Sequence, residues 1–296
     1  MTLACLRTGL RAAARRPRLA VALWLVNLTL AAAAATPAML AFREAFDRAP
    51  AADRLRQGFS FGLTVELLQA WPGRLATLVS FALAAAVLAL LANALTSGGI
   101  LEVLTTGDDR RFLHRFGRGA GHFFGRFLRV GIAAGLTLVA LAGLVAAAAG
   151  ALARRLEESP WEPMWVVMGG ARLGLIALVA LVALVALDVA RIRLVREDGR
   201  RAVRLYWGSL ALVLRHPVAT LGIWAGTAAL FALVLGLYAL VRAVAPAQAW
   251  AGILFMVLAQ QAVMLCRAAL RVALFAGEIA LVERLAAPLS TPPAVG

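Results

Sequence analysis

Lysine is absent from this 296-residue chain, and its basic character rests on thirty arginines and three histidines. With alanine, glycine, leucine and valine abundant, that absence reads as the habit of a GC-rich bacterial genome rather than as arginine-specific chemistry. Cysteine occurs twice, at Cys5 in a basic segment and Cys266 in an apolar run. Residues so placed are not expected to pair, which excludes a disulfide-built fold. Charge is scarce too, at 15% of residues against 62% hydrophobic and a mean hydropathy of +0.86. That excludes an ordinary soluble domain and points to a polytopic membrane protein. Acids are half as numerous as arginines, giving a net charge of +15. In a soluble chain this would suggest nucleic acid; in one this apolar, basic residues set topology and touch lipid, so nucleic acid is not an expected partner.

The histidines, His114, His122 and His216, have no cysteine or paired carboxylate at ligand spacing beside them, so no metal site is expected. Ser97-Gly98-Gly99 and Gly107-Asp108-Asp109 lack the strand, lysine and spacing of a phosphate loop and read as helix ends. No catalytic or cofactor-binding residue is assigned.

What the chain has is long apolar runs. A spanning helix needs roughly 20 mainly apolar residues, and six runs qualify, at about 19–41, 75–97, 130–153, 165–189, 218–241 and 249–273. The first, with Ala33 and Ala35 in a cleavage-like pattern, continues through Phe42 and is read as an uncleaved span. The expected class is all-α, a single membrane domain over 1–285 followed by a flexible tail, 286–296. Arginines cluster before the first span, between the second and third, and between the fourth and fifth, which makes those sides and both termini cytoplasmic. The acidic segment around Glu157, Glu158 and Glu162 and the hairpin at 242–248 then face outward. The 42–74 connection is expected to carry two short helices on the outer surface, with Trp71-Pro72 marking re-entry.

Three of the odd-numbered spans are introduced alike. Arg111, Arg115, Arg118, His122 and Arg129 fall on one helical stripe, with Phe112, Phe116, Phe123 and Phe127 on a neighbouring one. Arg201, Arg204 and Arg215 form a second basic stripe, and Arg7, Arg11 and Arg18 a weaker third. Each predicts an interfacial helix with aromatic rings at the acyl boundary and guanidinium groups among lipid phosphates. A shift of 91 residues carries Gly131-Ile132-Ala133-Ala134-Gly135 onto Gly222-Ile223-Trp224-Ala225-Gly226, and a shift of 200 carries Arg15 and Pro17 onto Arg215 and Pro217. The chain is therefore read as three parallel copies of an interfacial helix plus a two-span hairpin, over about 1–105, 106–197 and 198–285. The glycine pairs should occupy equivalent packed faces.

The Gly-Ile-x-Ala-Gly opening of a span and the run Asp188-Val189-Ala190-Arg191-Ile192-Arg193-Leu194-Val195-Arg196-Glu197-Asp198-Gly199 resemble bacterial six-helix membrane proteins related to the membrane domain attached to some glycerophosphodiester phosphodiesterases. The resemblance implies a membrane module and carries over no catalytic residue.

The lipid-contacting residues expected are Arg111, Arg115, Arg118, His122, Arg129, Arg201 and Arg204. Within the spans, Asp188 closes an uncharged run, while Arg267, Arg271 and Glu278 share one face of the sixth span. Charges there must snorkel or pair, and Asp188 is expected to pair with Arg267 or Arg271. The reading is a non-enzymatic scaffold or lipid-contacting module of the bacterial inner membrane. Its partners are membrane lipids, anionic ones above all, with room for a membrane protein partner. The alternatives are a transporter of an amphipathic or lipid-like substrate and a lipid-headgroup enzyme.

Overall fold

Two prolines govern how the chain is cut into helices in the computed structural model, which describes residues 2–46, 72–106, 111–156, 163–197, 201–244 and 250–286. Helix α1 (Thr2–Arg15) stops two residues before Pro17, which opens α2 (Pro17–Phe46). The same break recurs between α6 (Ala202–Arg215) and α7 (Pro217–Val244), where His216 leaves the helical region at φ −128°. Proline lacks an N–H and disfavours helical geometry in the residue before it, so each pair of helices meets at a corner. The remaining elements are α3 (Pro72–Thr106), α4 (Phe112–Leu156), α5 (Pro163–Glu197) and α8 (Trp250–Ala286). Among the described residues the protein is all helical, and six helices are long and apolar enough to cross a membrane. The protein is an integral membrane protein.

One expectation is corrected. No separate helix precedes the third span, because α4 runs unbroken from Phe112 to Leu156. This copy has no proline between its basic stripe and its apolar run. At 1.5 Å per residue its 45 residues extend about 68 Å, far beyond the roughly 30 Å of a hydrocarbon core, so its basic first turns lie outside it. The expected outer-surface helices of the 42–74 connection fall mostly on 47–71, outside the described residues, as do Gly107-Asp108-Asp109, the acidic 157–162 segment and most of the 286–296 tail.

The chain divides into two units, Ala22–Asn93 and a second made of Met1–Val21 with Ala94–Gly296. In the first, the polar residues of α2 are satisfied within the helix: Thr29 donates to the Leu25 carbonyl at 2.6 Å and Thr36 to that of Ala32 at 2.7 Å. Without water to bond them, hydroxyls in a lipid-facing helix turn back on their own backbone.

In the second unit, burial gathers at the ends of the even-numbered spans. Val185 to Leu187 and Val189 to Ile192 of α5, Val272 to Phe275 of α8, and Ile100, Leu101 and Val103 of α3 are buried there. By contrast Leu136 and Val139 of α4, Leu233 and Leu237 of α7 and Leu254 and Leu258 of α8 are exposed, as lipid-facing side chains must be. The short helices close over the buried ends. Helix α1 packs on α8 and α7 through Cys5, Gly9 and Ala13, spaced four apart; α6 packs on α5 and α4 through Ala202, Tyr206, Ser209 and Val213. Cys5 joins Ile223, Leu274 and Leu281 in one apolar cluster, and both cysteines are free thiols.

Glycines set how closely these helices approach. A side chain at Gly9 would collide with the Ala273 carbonyl oxygen, and a Cβ on Gly277 would stand 3.2 Å from that of Cys5. A Cβ on Gly98 of α3 would meet the Gly119 oxygen of α4 at 2.7 Å. The two Gly-x-x-x-Gly faces, however, are not equivalent. Gly222 and Gly226 lie under Thr2 and Leu6 of α1, whereas a Cβ on Gly131 or Gly135 would have no described atom within 4 Å. The difference follows from α1, which covers α7 and leaves the corresponding face of α4 uncovered. Replacing Gly9 with leucine should therefore lower the thermal midpoint in detergent by the equivalent of about 1–3 kcal/mol of overpacking, while Gly125→Leu, at an open position, leaves it unchanged.

Candidate functional site: a buried ion-pair cluster and two basic clefts

Helix periodicity assembles the cluster. Asp188 and Arg191 stand three residues apart on α5, and Arg271, Phe275 and Glu278 follow one stripe of α8 at spacings of four and three. The Arg271 guanidinium donates to both oxygens of Asp188, at 3.0 Å and 3.2 Å. Arg191 donates to the same carboxylate at 3.2 Å and reaches the Ser97 hydroxyl at 3.4 Å, the long limit of a hydrogen bond. Each guanidinium also lies over a ring, Arg271 over Phe275 at 4.4 Å and Arg191 over Phe127 at 5.6 Å. Beside them Trp224 of α7 donates its indole N–H to Glu278 at 2.8 Å.

Asp188 and Glu278 are each 2% exposed and Arg191 1%, while the Arg271 side chain retains 26%. The four formal charges sum to zero. Two polar atoms of the cluster find no partner among the described residues, Arg191 Nε and the second oxygen of Glu278. Arg267, one turn away, is exposed and outside the cluster. Arg191, read from sequence as one more cytoplasmic topology residue, is instead the most buried arginine of the set. Its signal was present, since an arginine one turn from an intramembrane aspartate is placed to pair with it.

The arginine stripe of α4 faces outward, with Arg111, Arg118, His122 and Arg129 exposed and Arg115 half-buried. Arg118 also forms an ion pair with the buried Glu102 of α3 while most of its side chain stays exposed. Arg201 and Arg204 are exposed at the start of α6. The aromatic stripe does not line an acyl boundary as expected. Phe123 and Phe127 are buried and stacked with ring centroids 5.8 Å apart, and Phe116 packs against Gly99. The apolar face of this segment is covered by protein, and Phe127 forms the floor under Arg191.

Basic clefts open at both proline corners of the second unit. One, of about 260 Å³, sits at the α1–α2 corner between Arg15, Arg16 and Arg18, with Leu19, Val103 and Phe112 as its apolar lining. The other, of about 410 Å³, lies at the α6–α7 corner and is lined by Arg193, Arg196, Glu197 and Arg215 with Val282 and Leu285. In the second, Arg193 pairs with Glu197 at 3.0 Å and Arg196 with Glu283 at 3.2 Å. Neither cleft is lined by a member of the Asp188 cluster. No group of three potential metal ligands converges among the described residues. No family model matches the chain, and comparison with curated proteins and with solved structures likewise finds no match.

The cluster makes a sharp energetic demand. Removing one partner of a buried ion pair leaves the other uncompensated, at a cost of about 3–5 kcal/mol. In a double-mutant cycle read by thermal denaturation in detergent, Asp188→Asn and Arg271→Gln should each destabilise strongly, and together by clearly less than their sum. Asp188→Asn with Arg267→Gln should be additive. Additivity in the Arg271 cycle as well would mean that the pair carries no energy.

Proposed function

We propose that this chain is a non-enzymatic module of a bacterial inner membrane, with both termini cytoplasmic, that contacts anionic lipid and serves as a scaffold for membrane neighbours. The observation that carries the proposal is the opposite disposition of two sets of charge. The set inside the spans is held largely by protein groups, with Asp188 answered by Arg191 and Arg271 and one oxygen of Glu278 by Trp224. The set on the helices outside them, Arg111, Arg129, Arg201 and Arg204, is turned to the surface. The two basic clefts are lined by other residues.

The cytoplasmic placement rests on the arginine bias, since the arginine-rich segments fall on alternate sides of the six spans. The threefold repeat belongs to the same proposal. A shift of 200 carries the buried Gly9 and Ala13 of α1 onto the buried Ser209 and Val213 of α6, and both helices end at a proline corner. Membership in the bacterial six-helix group that residues 188 to 199 resemble is part of the proposal too, and adds no catalytic role.

Arginines near an anionic surface contribute about 1 kcal/mol each, and their forked N–H groups match phosphate oxygens. With Arg111, Arg129, Arg201 and Arg204 changed to glutamine, native mass spectrometry from mixed phosphatidylglycerol and phosphatidylethanolamine should show phosphatidylglycerol adducts reduced at least tenfold at an unchanged melting temperature. Adducts equal to those of the unaltered protein would sink the proposal.

A further inference from the structure

Threonine and glutamine are treated differently inside these spans. Thr137 and Thr227 turn back on the carbonyls of Ala133 and Ile223, at 2.8 Å and 2.9 Å, so their hydroxyls ask nothing of a neighbour. The spans of the second unit also carry two amides, side by side on α8. Gln261 is half-buried and engaged within the chain. Gln260 is exposed and has no hydrogen-bond partner among the described residues. It stands ten residues past Trp250, where the apolar run of α8 begins. At 1.5 Å per residue that is about 15 Å, half of a hydrocarbon core of roughly 30 Å. An amide at this depth has lost the bonds of water, and lipid tails supply none.

Gln260 also picks out a face. Trp250, Ile253, Val257, Gln260, Met264 and Arg267 recur at alternating spacings of three and four, and each is exposed. That spacing is the seam of a left-handed helix pair, in which a polar residue at an inner position fixes register and the number of helices. From Trp250 to Met264 the sequence carries no charge, so identical copies do not repel along it. Arg267 closes the stripe about 25 Å from Trp250, near the other boundary, where its side chain is long enough to reach headgroups.

We infer that this stripe of α8 is the contact between two copies of the protein in the membrane, with the two Gln260 amides bonded to each other across a two-fold axis. Copies inserted with the same topology pair about an axis normal to the bilayer, which sets each residue of the stripe opposite itself. An amide is its own complement there, because the N–H of one donates to the C=O of the other and the reverse. The apolar positions add close packing but little selectivity, since acyl chains are as apolar as leucine; the glutamine decides which face is used. This inference deepens the scaffold part of the proposed function by naming one neighbour. It rests on that reading for membrane placement and is independent of the lipid contact.

The test uses the full chain, tagged with donor or acceptor fluorophores at its C terminus, in phosphatidylethanolamine and phosphatidylglycerol vesicles. Energy transfer should fall as the protein is diluted in lipid. Gln260→Leu should move the midpoint of pairing about tenfold toward higher protein-to-lipid ratios at an unchanged melting temperature, and Gln260→Asn should keep part of the pairing. In a Cys266→Ala background, Val257→Cys should form a disulfide between copies under mild oxidation, and Leu258→Cys, a step round the helix from the stripe, should not. Absence of both energy transfer and the Val257 cross-link overturns the inference. So does a dimer that Gln260→Leu leaves unchanged, or one that cross-links through Leu258 and not through Val257. A fall in the melting temperature of Gln260→Leu would place the amide's bond within its own chain. Cross-linking of Val257→Cys in whole membranes to a protein of different mass would give the stripe to that partner. Both refute the dimer. None of these outcomes touches the phosphatidylglycerol adducts on which the broader reading is judged.

Discussion

Asp188 is the constraint on which the buried end of the helix bundle depends. A carboxylate 2% exposed in a span cannot stand alone, because charge at that depth costs several kcal/mol unless it is paired. It is answered twice, by Arg271 through a two-pronged contact from α8 and by Arg191 from its own helix. The first contact fixes the rotation of α8 against α5, since only one stripe of α8 carries both Arg271 and Glu278. The second draws Arg191 over Phe127 and so brings α4 into the same layer. Glu278, on the same stripe of α8, accepts from Trp224 and so draws α7 in. Four helices are placed by groups that must not be left unpaired, which is a stronger demand on register than apolar packing can make.

Small residues and prolines make that arrangement reachable. Gly9 and Gly277 let α1 lie against α8 at backbone distance, and Gly98 and Gly119 do the same for α3 and α4. Pro17 and Pro217 end the short helices two residues earlier, so that α1 and α6 can leave the direction of the following span and cover the buried ends of α8 and α5. Where the proline is missing, before the third span, the helix runs straight on and its packing is taken over by phenylalanines.

The sequence makes some of this readable and conceals the rest, for physical reasons. The six spans follow from run length alone, and counting residues along two helices toward a common depth brings Asp188 to Arg267 or Arg271, of which the fold uses Arg271. Arg191 is hidden because an arginine at the end of a span has the same local pattern whether it faces headgroups or a buried carboxylate. Phe123 and Phe127 are hidden for a similar reason: an apolar stripe beside a basic one suits a bilayer and a protein neighbour equally. The ion pair of Glu102 with Arg118 joins two helices whose relative rotation no local pattern specifies. The glycine pairs carry the same ambiguity, since the spacing of Gly131 and Gly135 matches that of Gly222 and Gly226, and only the docking of α1 separates them.

The outer portions of the spans explain why specificity is concentrated where it is. Residues such as Val139, Leu233 and Leu254 are exposed along helices whose surfaces are nearly all alanine, leucine and valine. Within lipid these side chains gain little from one another, because acyl chains are as apolar as leucine, and they do not select one arrangement of helices over another. Selection therefore falls to groups the bilayer cannot satisfy: the charges of Asp188, Arg191, Arg271 and Glu278, and the backbone carbonyls exposed at Gly9 and Gly98. All of these lie toward one end of the spans, the end that also carries the basic corners. The groups that fix the helices and the arginine-lined corners thus share one end of the bundle.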